Sequence, residues 1–366
     1  MKILIDASAA YFYHSTGIGA YAAELLSALK ELPIGKHISV FNGRNILPLL
    51  EKDEFLPSTQ CDFWEQTTKT PKDIGNGFDL YHNLHNGIGM KNGSKKTVIT
   101  VHDMIPRIFP QFCGSPYKEL FLSQSPQAIA TCDHIITVSE NSKKDILQYN
   151  DIPSEKISVI AEAPKHHCRP LPAKMCEDYL NSKYHIKPPF FLYVGGFNRR
   201  KNVSGLIRGY ASIYRQFPQK CPLIIIGPES NRRKELEKLA EELNLCPYVY
   251  FPGYVPNGEL PFFYNICEAF LYPSFYEGFG LPPLEAAACK SAVITSNRSS
   301  LREVMADGAL YIDPADTGEI GNQLLALAKD EKQKRTMAQK AYLRSKEFSY
   351  QKTAEATAAI YENLCR

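Results

Sequence analysis

A chain of 366 residues is long for a single hydrophobic core, so two domains are expected. Its 44% hydrophobic and 22% charged residues are ordinary for a globular protein, and a formal net charge of +3 is too small to point to nucleic acid. The polar start Met1-Lys-Ile-Leu-Ile-Asp6 is no signal peptide and no run is apolar enough to span a bilayer, so the expectation is a cytoplasmic protein, with peripheral contact at the inner face of a membrane left open.

Along the chain, short apolar runs alternate with helical periods, the pattern of parallel sheets covered by helices. Lys2 to Asp6 reads as a buried strand. The loop Ser15-Thr-Gly-Ile-Gly19 then opens a helix with apolar residues at Ile18, Ala22, Leu25, Leu26, Leu29 and Leu32. Further strands are expected at residues 37–41, 80–82, 96–101, 134–138 and 157–160. After Val138, Ser139-Glu-Asn-Ser142 places a serine where it caps the exposed N–H groups of a helix start. Prolines in Arg169-Pro-Leu-Pro-Ala-Lys174 and Lys187-Pro-Pro189 mark a linker. A second series of strands is expected at 190–194, 223–226, 249–251, 269–272, 292–295 and 309–312, and an alanine-rich helix closes the chain from Tyr350.

The ten cysteines are scattered without a C-x-x-C pair, which reads as reduced thiols, several of them buried. His166, His167 and Cys168 adjoin, but neighbouring side chains do not readily face one tetrahedral ion, and no metal site is expected there. The division expected is a first Rossmann-like domain over 1–170, a linker over 171–188, a second Rossmann-like domain over 189–345, and a helix over 346–366 packing back towards the first domain. In open α/β sheets ligands gather beyond the carboxyl ends of strands, so the loops after Asp6, Val101, Val138, Val194, Gly227, Phe251 and Tyr272 are the candidate ligand-bearing ones.

The most informative of these is Tyr272-Pro-Ser-Phe-Tyr-Glu-Gly-Phe-Gly-Leu-Pro-Pro-Leu-Glu-Ala286. It reads as a strand end, a glycine-rich loop and a helix opened by Pro282 and Pro283, which a first turn tolerates. Gly278 and Gly280 let the backbone approach a ligand, and a helix N-terminus favours an anion. One carboxylate, Glu277, can then accept hydrogen bonds from sugar hydroxyls while the other, Glu285, holds a ribose, with phosphate between them. Read alone, the same residues also suit a plain turn with a favourable first-turn acid.

The Glu-x7-Glu spacing, preceded by a strand and followed by alanines, resembles the signature of the family-four retaining glycosyltransferases of GT-B fold, the glycogen-synthase-like and bacterial mannosyltransferase-like group 1 enzymes. Gly17-Ile-Gly19, Val101-His-Asp-Met-Ile-Pro106, Thr137-Val-Ser-Glu-Asn-Ser-Lys143, Tyr193-Val-Gly-Gly-Phe-Asn-Arg-Arg-Lys-Asn202, Phe251-Pro-Gly-Tyr-Val255 and Ser299-Ser-Leu-Arg-Glu-Val-Met-Ala-Asp-Gly308 match its pattern in the same order. The resemblance implies an α/β architecture of two doubly wound Rossmann-like domains facing across a cleft. It also implies transfer of a hexosyl group, with retention, from a nucleotide diphosphate sugar to a hydroxyl of a glycan or lipid-linked acceptor in polysaccharide biosynthesis. No metal and no other cofactor is implied.

Carried onto matching positions, the resemblance makes Arg200, Lys201, Gly17 and Leu281 contacts of the donor diphosphate. Glu277, Gly278, Phe279 and Gly280 would meet the donor sugar, Glu285 the ribose, and Tyr254 and Val255 the base. His102 would reach the donor sugar from the acceptor side, with Asp103 orienting it or meeting the acceptor. The chain departs from the pattern at Gly196, where many relatives carry a phosphate-binding arginine, at Thr16, which replaces the first glycine of the N-terminal pair, and at Ala20, where an arginine is common. The wording of the motifs is most like bacterial mannosyltransferases, so GDP-mannose is the expected donor and UDP-sugars the alternative. The Tyr11-Phe-Tyr-His14 stretch is either a sugar-stacking platform or a packed aromatic loop. Among other classes, a nicotinamide oxidoreductase lacks its G-x-G-x-x-G after Asp6, and an epimerase fits the Glu-x7-Glu spacing poorly. A scaffold that binds nucleotide sugars without catalysis would keep the same binding residues.

Overall fold

A computed structural model describes residues 1–12, 16–49, 74–217 and 220–366. The chain divides into two compact units, one made of Met1–Ala163 with Ser349–Arg366, the other of Pro164–Phe348. Tyr13 and His14 of the aromatic stretch and Cys61 lie outside the described residues.

Among the described residues the first unit holds a seven-stranded sheet, built from β1 (Ile3–Asp6), β2 (Ile38–Phe41), β3 (Ile46–Pro48), β4 (Leu80–Asn83), β5 (Lys96–Val101), β6 (His134–Thr137) and β7 (Ile157–Val159) in the order β3-β2-β1-β4-β5-β6-β7. All pairings are parallel except β2 with β3. β1 and β4 are buried along their whole length, as strands covered on both faces must be; β1 is apolar from Ile3 to Ile5, whereas β4 also buries the polar His82 and Asn83. The helix Gly17–Lys30 is capped by Thr16, whose hydroxyl accepts from the Gly19 amide at 3.2 Å. The helix Glu140–Tyr149 is capped by Ser139, which accepts from the Ser142 amide at 3.0 Å.

The second unit opens differently from the sequence expectation. Residues 171–188, expected as a linker, contain the helix Ala173–Tyr184, which buries Cys176 and Leu180 and packs on the helix Leu260–Tyr264 of the same unit. The prolines lie outside this helix, so they punctuate an element instead of separating domains. Its sheet orders β10-β9-β8-β11-β12-β13, from β8 (Phe191–Val194), β9 (Leu223–Ile226), β10 (Val249–Gly253), β11 (Ala269–Tyr272), β12 (Val293–Ser296) and β13 (Leu310–Ile312), all parallel. The order reverses between β8 and β11, the position where open α/β sheets place their ligands.

The last helix, Tyr350–Leu364, belongs to the first unit and packs on Gly17–Lys30. Tyr361 reaches the buried His82 of β4, with its hydroxyl 2.5 Å from Nδ1, and Thr353 donates to the Ala161 carbonyl at 2.8 Å. Among the described residues no helix is long and apolar enough to cross a membrane.

Candidate active site

In the second unit the loops leaving β8, β11 and β12 converge. After β8, Asn198 caps a short turn, Arg199–Lys201, by accepting from the Lys201 amide, and this turn sends Arg200 and Lys201 inward. After β11, the loop through Ser274 is tied to that turn: the Phe275 amide donates to the Arg200 carbonyl at 2.8 Å, and Ser274 Oγ donates to the same carbonyl at 3.2 Å. After β12, Ser299 Oγ accepts from the Glu277 amide at 2.9 Å, while Ser300 Oγ donates to the carbonyls of Glu277 and Phe279 at 2.8 and 2.9 Å. The glycine-rich loop is therefore held from both neighbours.

Glu277 is the centre of this arrangement. Its Oε2 lies 2.8 Å from Arg200 Nη1 and its Oε1 2.8 Å from Lys201 Nζ. Arg200 also donates to the Tyr276 carbonyl, and Lys201 to the hydroxyl of the fully buried Tyr272. Burial opposes ionisation of Glu277, but Arg200 and then Lys201 outweigh it and take the carboxyl down to about 2. Burial, reinforced by the Glu277 charge, pushes the Tyr272 phenol well above its ordinary value, so it stays protonated. Two cations, Arg200 and Lys201, thus flank one carboxylate, and the loop contacts hold all three in place.

Gly280 ends the loop at φ +108°, a conformation that side chains avoid, and a Cβ there would come within 2.6 Å of Leu301. The helix Leu281–Ala288 starts at once. Pro282 and Pro283 carry no N–H, so the amides that this helix start can aim at an anion reduce to those of Gly280 and Leu281. Phe279 is buried edge-on against Phe348, with ring centroids 6.0 Å apart. One turn into the helix, Glu285 is buried, with Tyr264 OH donating to Oε2 at 3.4 Å and Lys165 Nζ lying 2.9 Å from Oε1. Oε1 is thus charge-paired by Lys165 yet accepts no hydrogen bond.

Tyr254 and Val255, expected together at the base, part company. Tyr254 is 55% exposed, whereas Val255 is 2% exposed with its side chain in the core. Following the Gly253 turn at φ +91°, only the tyrosine ring faces solvent. Val255 is thus a packing residue in this structure.

In the first unit, His102 follows β5 and is buried. Its Nδ1 lies 3.0 Å from Glu162 Oε1 and its Nε2 3.0 Å from the Leu84 carbonyl. Both partners are acceptors, so both nitrogens donate and the ring is an imidazolium. Burial lowers the pKa, but the Glu162 carboxylate overcomes this and raises it above the ordinary value. Neither nitrogen is left for a sugar in this arrangement, in contrast to the contact expected for His102. Glu162 and the Leu84 carbonyl take the two ring nitrogens, Asp103 adds a nearby negative charge that also raises the pKa, and Asp103 Oδ1 accepts from the Ile105 amide at 2.9 Å. Gly17 is exposed as the first residue of its helix, and a Cβ there would meet nothing within 4 Å.

Sequence reasoning missed Lys165, Tyr264 and Glu162. Tyr272, Ser274, Ser299 and Ser300 were within quoted motifs but had no role. Tyr272 and Ser274 flank the loop and were legible as strand-end residues. Lys165 and Glu162 have no local signal, because each meets its partner across more than fifty residues.

Comparison with known proteins follows the same division. The model of the Glycosyltransferase Family 4 matches residues 46–162, and that of the Glycosyl transferases group 1 matches residues 181–344. O-antigen chain mannosyltransferase B of Escherichia coli is 26% identical over the whole of both chains. O-antigen chain mannosyltransferase RfbU of Salmonella typhimurium is 29% identical over 82% of this chain and 84% of its own. Among solved structures, sucrose-phosphate synthase from Thermosynechococcus elongatus superposes with a TM-score of 0.78 at 19% identity, covering 100% of this chain and 99% of that one, a likeness of fold.

Proposed function

The chain belongs to the group 1 glycosyltransferases of family four, with the GT-B fold, and we propose that it moves a mannosyl group from GDP-mannose to a hydroxyl of a glycan or lipid-linked acceptor, with retention of configuration. Glycosyl transfer itself follows from the family. The mannosyl donor is supported by the two O-antigen mannosyltransferases that align over most or all of the chain.

The observation that carries the mechanism is the pairing of Glu277 with both Arg200 and Lys201, each at 2.8 Å. As the glycosidic bond breaks, negative charge grows on the departing diphosphate. Fixed cations meet that charge without reorganising, which is the condition under which electrostatic stabilisation is worth most. Arg200 and Lys201 are such cations, and no metal or other cofactor is needed in this scheme. The amides of Gly280 and Leu281, at the start of the helix that follows the loop, add further donors in this scheme.

Glu277 is ionised at any working pH, so it serves as an acceptor for sugar hydroxyls and not as a general acid. With both oxygens held by cations it is also a poor nucleophile. A front-face route therefore fits better than a covalent glycosyl-enzyme: the acceptor hydroxyl attacks on the side the diphosphate leaves, and the leaving phosphate takes its proton. Glu285 accepts from the ribose hydroxyls. Tyr254 offers an exposed ring to the base. His102, held as an imidazolium, supplies a fixed positive charge at a strand end of the first unit.

The test is product formation from GDP-mannose, with UDP-sugars in parallel, on glycan and lipid-linked acceptors, with the anomeric configuration read by NMR. Transfer from GDP-mannose with retention is expected. An inverted product would overturn the front-face mechanism, and transfer from UDP-sugars alone would overturn the donor.

A further inference from the structure

Glu285 is held in an unusual way for a buried carboxylate. Oε2 takes a long hydrogen bond from Tyr264, itself fully buried. Oε1 is buried and accepts no hydrogen bond, although the Lys165 ammonium lies 2.9 Å away. Both side chains are largely covered, Lys165 to 12% exposure and Glu285 to 4%. A buried acceptor without a donor is costly unless something else supplies one. The pairing balances charge at Oε1 while leaving its acceptor capacity unspent.

We propose that Lys165 is the positioning residue for Glu285, holding Oε1 by charge so that the ionised carboxylate presents its open acceptor capacity to the vicinal hydroxyls of a ribonucleotide. The proposal rests on the reading that Glu285 holds the ribose. The charge pairing spends no hydrogen bond at Oε1, because none is made there, and the ammonium keeps the carboxylate in place and balanced. A ribose hydroxyl supplies the donor that Oε1 lacks. A deoxyribose does not, and leaves Oε1 as it was. Lys165 thereby contributes to the distinction between ribonucleotides and deoxyribonucleotides although it touches neither sugar hydroxyl in this role. The sequence places it outside every motif of the donor site, at the start of the second unit.

The experiment is calorimetric titration of the full chain with GDP and UDP, with their 2′-deoxy and 3′-deoxy counterparts and with GMP and UMP, for wild type, Lys165→Met, Lys165→Gln, Lys165→Arg and Glu285→Gln. In wild type the ribose form binds tighter by about tenfold or more, as expected where a buried acceptor is left unpaired by the analogue. Both lysine variants are expected to lose most of that preference while keeping their preference for diphosphate over monophosphate, and Lys165→Arg to restore part of it. The two lysine variants guard against loss of fold in either one, with melting temperature measured alongside. If Glu285→Gln abolishes the preference but the lysine variants retain it, the role of Lys165 is overturned and the ribose reading stands. If Glu285→Gln retains the preference, the ribose reading falls and the role of Lys165 falls with it.

Discussion

At the scale of residues, two buried ion pairs behave in opposite ways with pH. Glu277 has its carboxyl depressed to about 2, so its pairing stabilises the fold above the ordinary carboxylate range and is lost only as pH falls through about 2. His102 is raised by Glu162, so that pair contributes fully below about 6.5 and fades as pH rises through the elevated value. Glu162→Gln leaves a buried imidazolium without its counter-charge and is expected to cost about 3 kcal/mol, most at pH 5–6 and less at higher pH. Denaturant midpoints across pH check this; a cost that grows with pH would contradict it. Lys201→Ala is expected to lower turnover by about two to three orders of magnitude, the size of effect seen when one fixed donor to a developing charge is removed. Near-normal turnover would sink the assignment. Glu277, Arg200 and Lys201 were each legible as candidates, because strand-end loops and motif spacing pick them out. Their mutual pairing was not, since Glu277 lies more than seventy positions from both cations.

At the scale of elements, the parallel strands were readable because strands buried on both faces are continuous apolar runs bounded by turns. β3 escaped because it is three residues long, antiparallel, and has exposed Ile46 and Pro48. The helix Ala173–Tyr184 escaped because prolines flank it and it buries few residues. Glycines separate fold from function. Gly280→Ala forces a side chain into a left-handed backbone and against Leu301, and is expected to destabilise by about 1–3 kcal/mol. Gly17→Ala has open space and a helical position, so it is expected to leave stability unchanged or raise it by about 0.4–1 kcal/mol. If the donor phosphates approach Gly17, the same change weakens donor binding; thermal melts with and without GDP-mannose distinguish the two effects, and unchanged binding would remove Gly17 from the site.

At the scale of the whole molecule, a net charge of +3 says little, because the charge that matters is local: two cations around one carboxylate at the ends of β8 and β11. The C-terminal helix shows how distant sequence completes a unit, with Tyr361 closing over His82. Burial depresses that histidine to about 3, so it folds neutral and its contribution is lost as pH falls from about 6.5 towards 3. The central claim is that the second unit reads a nucleoside diphosphate through Arg200 and Lys201. The most direct measurement is the affinity of the full chain for GDP against GMP, and UDP against UMP, by calorimetry. Removal of the β-phosphate is expected to weaken binding by about tenfold or more, since a charge-assisted contact is worth about 1.5–3 kcal/mol, and Lys201→Ala is expected to erase most of that difference. Equal affinity for mono- and diphosphates in the wild-type protein would contradict the account.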